Sequence, residues 1–159
     1  MYKKTVLNNG VRVVSCPMKD KNSLSIGIWL NVGSRFEIPQ ISGISHFLEH
    51  LVFKGTKHYS CRKIKESIEG VGGSFNGFTV EDATCYLVKI PAGYLDLALD
   101  ILSDMVTNPI FPPEEIERER TVVLEEIKMY KDLPQSYVYE ILDRLLWPDQ
   151  PLGRGVLGT

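Results

Sequence analysis

The sequence predicts an α+β fold in which helices pack on one face of a mostly antiparallel sheet. Two periodicities lead there. Leu24, Ile26, Ile28, Leu30 and Val32 alternate strictly with polar or small residues and Trp29, the mark of a strand with one face on a core. Later, Leu95, Ala98, Leu102 and Met105 recur at helical spacing. Strands in the first half and helices in the second argue for the α+β class.

Taken in order, Asn9-Gly10 separates two strand-like runs and predicts a tight hairpin turn. The strand through Leu24 ends at Gly33-Ser34, and a polar loop with Pro39 and Gly43 follows. Helices are predicted from about Ile44 to Phe53 and from Ser60 to Glu69, where Ile64 and Ile68 lie one turn apart. Gly70, Gly72 and Gly73 break the chain before a second strand pair, Ser74 to Thr79 and Ala83 to Ile90, closed by Pro91. The helix through Leu95 stops at Asn108-Pro109. Pro112-Pro113 opens another, since proline suits a first turn, and it runs to about Lys131. A last helix from near Pro134 carries Val138, Ile141, Leu142, Leu145 and Leu146. Gly153 to Thr159 is loop-like and reads as a cut. Residues 1–159 are therefore expected to be a single N-terminal domain truncated before its last strands.

Composition narrows the function classes. With 43% hydrophobic and 24% charged residues the chain is of the globular type, neither disordered nor membrane-embedded. A net charge of −2 gives no reason to expect nucleic acid or an anionic membrane as partner. Lys54, Lys57, Arg62, Lys63 and Lys65 cluster, but mixed with Glu66 and Glu69 they read as a solvated helix face. Cys16, Cys61 and Cys85 suggest neither a disulfide framework nor a thiolate metal site. Free thiols favour a reducing compartment, so a cytoplasmic location is expected. No apolar run approaches the roughly 20 residues of a membrane span.

His46-Phe47-Leu48-Glu49-His50 carries the chemistry. Histidines at i and i+4 lie one turn apart on one helix face, so both imidazoles can reach one ion. Glu49 stands beside that face, where a carboxylate can take a proton from metal-activated water without occupying the metal. This order, H-x-x-E-H, is a catalytic pattern in its own right. His58 has no partner at ligand spacing and reads as an exposed loop histidine. A hydrolytic zinc needs a third protein ligand and one open position. The acidic helix from Glu114 to Ile127 offers it. Glu119 and Glu126 lie two turns apart on one face, beside an apolar stripe of Ile116, Val123, Ile127 and Tyr130. Spacing alone leaves Glu115, Glu119 and Glu126 open, with Glu117 and Glu125 as plain solvated charges.

Several stretches resemble one family, the pitrilysin or insulinase-type inverted zincins, which include insulin-degrading enzyme, mitochondrial processing peptidase and bacterial relatives. They are Val32-Gly33-Ser34-Arg35, Gly43-Ile44-Ser45 running through His50, Phe53-Lys54-Gly55-Thr56, Gly72 to Asn76, Thr84-Cys85-Tyr86 and Leu152-Gly153-Arg154. The resemblance implies that Glu126 is the third zinc ligand beside His46 and His50. It makes Glu49 the catalytic base and Glu119 a residue that assists the site from behind. It further implies that a peptide substrate adds itself as a strand along Phe75, Asn76 and Gly77. Relatives often carry alanine where this chain has Gly77, and glycine is expected to loosen that strand. The family's second, homologous half is expected on the same polypeptide or on a partner subunit, with a homodimer among the allowed assemblies. The isolated fragment is expected to bind zinc but to cleave weakly or not at all. The competing reading is a non-catalytic assembly subunit, which would be expected to have lost one of His46, Glu49, His50 or Glu126. Metal held purely for stability would have little use for Glu49.

Overall fold

The computed structural model describes residues 1–159. The hairpin strands β1 (Lys3–Val6) and β2 (Arg12–Ser15) come first, followed by β3 (Ser23–Leu30). Helices α1 (Ile44–Val52) and α2 (Cys61–Glu69) precede β4 (Ser74–Thr79) and β5 (Thr84–Pro91). Three more helices, α3 (Leu95–Thr107), α4 (Pro113–Lys131) and α5 (Pro134–Leu146), complete the order. Strands β3, β5 and β4 form one antiparallel sheet in that spatial order, with Ile26 opposite Val88 and Gly77 opposite Tyr86. The α+β class is therefore observed. The first hairpin is a separate two-stranded sheet whose residues are all exposed. The tight turn expected at Asn9-Gly10 is a three-residue loop. Asn9 Oδ1 takes the Val11 amide, Leu7 N–H donates to the Val11 carbonyl, and Gly10 adopts φ 86°. That left-handed conformation suits glycine at the end of a three-residue loop.

The period-two pattern of β3 puts Leu24, Ile26, Ile28 and Leu30 on the face that meets the helices. Central strand β5 buries Tyr86, Val88 and Ile90 on the same face. Against them lie Ile64 and Ile68 of α2 and Ala98, Ile101, Leu102 and Met105 of α3, all at most 1% exposed. Burying each such large aliphatic side chain contributes about 1.5–3 kcal/mol. Helix α3 covers β5 and β3, while α1 rests on β4 and receives α4 on its other side. That stacking brings the histidine helix, the edge strand and the acidic helix together. Helix α5 forms where its spacing predicts, but none of its residues is buried, and Val138 and Leu145 are well exposed. No helix is long and apolar enough to cross a membrane.

A buried carboxylate ties α3 to the loop that leaves α1. Asp104 is 7% exposed, accepts from Asn108 Nδ2 at 2.9 Å and faces His58 Nδ1 at 2.7 Å. His58 is an exposed loop histidine as expected, yet it has a partner. Burial pushes the Asp104 carboxyl up, but the neighbouring Thr56, His58 and Asn108 outweigh burial and hold it below the ordinary value. A depressed carboxyl contributes stability above its unfolded pKa, about 3.9, and that contribution is lost as pH falls through the lower folded value. The melting temperature of the native chain should therefore fall more steeply below about pH 4 than that of Asp104→Asn. Parallel acid limbs in the two melting series would sink this assignment.

Candidate metal centre

The helix that carries the histidines is pinned at its start. Gly43, the residue before α1, has φ 91°, and a Cβ there would lie 2.6 Å from the Leu157 carbonyl oxygen. Both the conformation and the close approach require glycine. The first amides of a helix lack internal partners. Here the buried Glu37 carboxylate takes two of them, from Gly43 N at 2.7 Å and Ser45 N at 2.8 Å. Arg154 in turn donates to the Glu37 carbonyl. Sequence reading missed Glu37, because helix caps are sought among Ser, Thr, Asp and Asn adjacent to the helix.

From this fixed base α1 presents His46 and His50 side by side, with ring centroids 4.7 Å apart. Glu126 reaches them from α4. Its Oε2 lies 3.8 Å from His46 Nε2 and 3.5 Å from His50 Nε2. One ligand atom from each residue lies within 4.8 Å of the others. A tetrahedral zinc with ligands at the usual distances sets donor separations of roughly 3.3–3.6 Å, close to the two carboxylate–imidazole separations found here. Two imidazoles and one carboxylate also leave one position open. Burial, helped by the neighbouring His50, lowers the His46 pKa against the opposing pull of Glu126, Glu49 and Glu37. The neutral imidazole, the form that ligates metals, is thereby favoured.

The three glutamates left open by spacing have separate places. Glu115 pairs with Arg118 at the surface, and Glu117 and Glu125 do the same with Arg120 and Lys128. Glu119, only 5% exposed, turns Oε2 toward His50 Nδ1 at 3.1 Å and Oε1 toward Lys54 Nζ at 2.5 Å. Burial pushes its carboxyl up, but Lys54 and His50 outweigh burial and hold it below the ordinary value. Lys54 is thus not part of a solvated basic face. It sits one turn beyond His50, with its side chain mostly covered, because Glu119 arrives there from α4. No one-dimensional pattern announces that pairing, since the two residues are 65 positions apart (119 − 54).

Glu49, 9% exposed, points to the other side, toward β4. Thr79 donates to its Oε2 at 2.7 Å, while Oε1 lies against Gly77. A Cβ on Gly77 would come within 2.8 Å of that oxygen and 3.0 Å of the Phe53 ring. Gly77 therefore clears space for Glu49, and β4 is paired with β5 from Ser74 to Thr79 without a break. Phe75 stacks on Phe53 at 5.4 Å, so its side chain belongs to packing and only its backbone is available at the strand's edge. Asn76 uses Oδ1 to accept from the Gly77 amide at 2.9 Å. The histidines, Glu49 and Glu126 open with Gly77, Phe78 and Thr79 onto one cleft of about 540 Å³. Tyr130, Tyr139, Glu140 and Arg154 also line it.

The sequence profile described as Insulinase (Peptidase family M16) matches residues 12–159. The chain is 43% identical, over its whole length, to the Bacillus subtilis protein named uncharacterized zinc protease YmxG, of which it covers 39%. It is 40% identical, over 99% of its length, to a Streptomyces coelicolor protein also named as a zinc protease, of which it covers 34%. The crystal structure of a protease from Helicobacter pylori superposes on all of this chain with a TM-score of 0.93 and 30% identity. That match covers 38% of the Helicobacter chain. The chain thus spans well under half the length of these relatives.

Proposed function

Because the chain belongs to the insulinase family, peptidase family M16, we propose that it is the zinc-binding part of an endopeptidase that cleaves extended peptides. His46, His50 and Glu126 hold the ion, and Glu49 moves the proton. The observation that carries this reading is the convergence of the three donor atoms in one cleft, with the Glu49 carboxylate at its wall and an edge strand beside it. The zinc in the names of the relatives agrees with the donor set. Bound zinc would supply polarisation of the scissile carbonyl and would lower the pKa of a water to about 7.

The chain's own residues do the rest. Thr79 fixes Oε2 of Glu49 and leaves Oε1 to receive the proton of the attacking water. The same oxygen then returns that proton to the leaving nitrogen. Glu119 holds Nδ1 of His50, which directs Nε2 toward Glu126. Substrate lies along the free edge of β4, where backbone pairing accepts many sequences. The Gly77 amide on this strand is already occupied by Asn76 Oδ1, so a peptide carbonyl that takes that amide must displace a side chain. The exchange preserves the hydrogen bond and keeps the vacant edge capped. A homologous second half, on the same chain or a partner subunit, completes the enclosure. The reading as an assembly subunit has no structural observation in its favour.

The test is cleavage of a fluorogenic, unstructured peptide by the full-length polypeptide. Activity should vanish on treatment with a chelator and return with stoichiometric zinc. Undiminished cleavage by a demonstrably metal-free preparation would overturn the proposal.

A further inference from the structure

We propose that Lys54 is a positioning residue for His50, acting through the buried Glu119 in a continuous Lys54–Glu119–His50 relay. The inference rests on the reading of His50 as a zinc ligand. Glu119 is the only side chain that His50 Nδ1 meets at hydrogen-bonding distance, at 3.1 Å, and His50 Nε2 then faces Glu126. A histidine that donates one ring N–H to a carboxylate keeps the other nitrogen's lone pair for the metal and fixes the ring plane. Glu119 can serve only while its carboxylate stays in place, and a carboxylate 5% exposed needs compensation for lost hydration. His50 occupies one oxygen, and Lys54 Nζ, at 2.5 Å, holds the other.

The fold makes this contact with little freedom. Lys54 follows the end of α1, with its amide bonded to the Leu51 carbonyl, so its backbone is set by the same helix that sets His50. Both side chains reach the same residue of α4, Glu119. Glu119 is thus clamped between a residue of α1 and one just past its end. Without the ammonium, the carboxylate keeps one of its two anchors and can turn from His50 toward solvent. His50 then loses its orientation even though no ligand has been removed. The general finding for such outer partners is a loss of roughly 10–100-fold in metal affinity.

Zinc dissociation constants by competition dialysis test the relay, together with the visible spectrum of the cobalt-loaded chain, which reports ligand geometry. Lys54→Met should weaken zinc by roughly 10–100-fold and alter the cobalt bands, while Lys54→Arg, which keeps the charge, should recover most of the affinity. Lys54→Gln carries the same expectation as the methionine variant, should that one fail to fold by circular dichroism. The decisive comparison adds Lys54→Met to Glu119→Gln. If Lys54 acts through Glu119, the second change costs little further affinity. Fully additive losses, or native affinity and spectrum in folded Lys54→Met, would overturn the relay alone. A native chain that took up no zinc would overturn the metal-site reading and the relay with it.

Discussion

Glu49→Gln should lower kcat of the full-length protein by about 10²–10⁴-fold while zinc content stays at the native level. The substitution is close to isosteric, and the Gln side chain still offers Thr79 an oxygen in place of Oε2. What it loses is the capacity to take a proton at Oε1, the atom beside Gly77, on a residue that lines the cleft. Glu49 is not among the three clustered donors, so metal binding and base function can be separated in one protein. The readouts are single-turnover cleavage and metal content on the same sample. Native turnover in the zinc-replete variant would remove Glu49 from the mechanism. A variant that lost its zinc would instead mean that the carboxylate supports the metal.

Glu126→Gln should have the other large effect, on zinc itself. Loss of one ligand of three should raise the zinc dissociation constant on the order of 10²-fold or more. At a free zinc concentration 100 times the native dissociation constant, binding contributes about 2.7 kcal/mol of stability, which a 100-fold weaker site reduces to about 0.4. The zinc-induced rise in melting temperature should therefore nearly disappear. Metal-free stability should barely change, because the Glu126 side chain is 34% exposed and forms no short hydrogen bond. Glu119, at 6% side-chain exposure with two partners, offers no such separation. An unchanged zinc-linked rise in melting temperature for Glu126→Gln would reject it as a ligand.

The two histidines and Glu49 were legible because their relation is local. Five consecutive residues on one helix define which side chains share a face, and no other part of the chain can alter that spacing. The same holds for β3, whose alternation survives in its half-buried face, and for α2 and α3, whose apolar spacing became the core. Glu126 lay at the edge of legibility. The helix and its shared face with Glu119 follow from periodicity, but Glu115, Glu119 and Glu126 could be ranked only through the family resemblance. The contact of α4 with α1 gives each a distinct place: one at the surface, one behind His50, one beside both Nε2 atoms.

Residue order by itself therefore determined the class of fold, the helical H-x-x-E-H unit and the metal chemistry that such a unit supports. Tertiary packing decided what surrounds it. Glu37 caps the histidine helix from a separate turn, Thr79 holds Glu49 from the edge strand, Gly77 leaves that carboxylate room, and Lys54 faces Glu119 instead of water. Each of these contacts joins residues from different elements. Backbone periodicity records which way a side chain leaves its own helix or strand, but a partner's identity depends on how those elements are stacked.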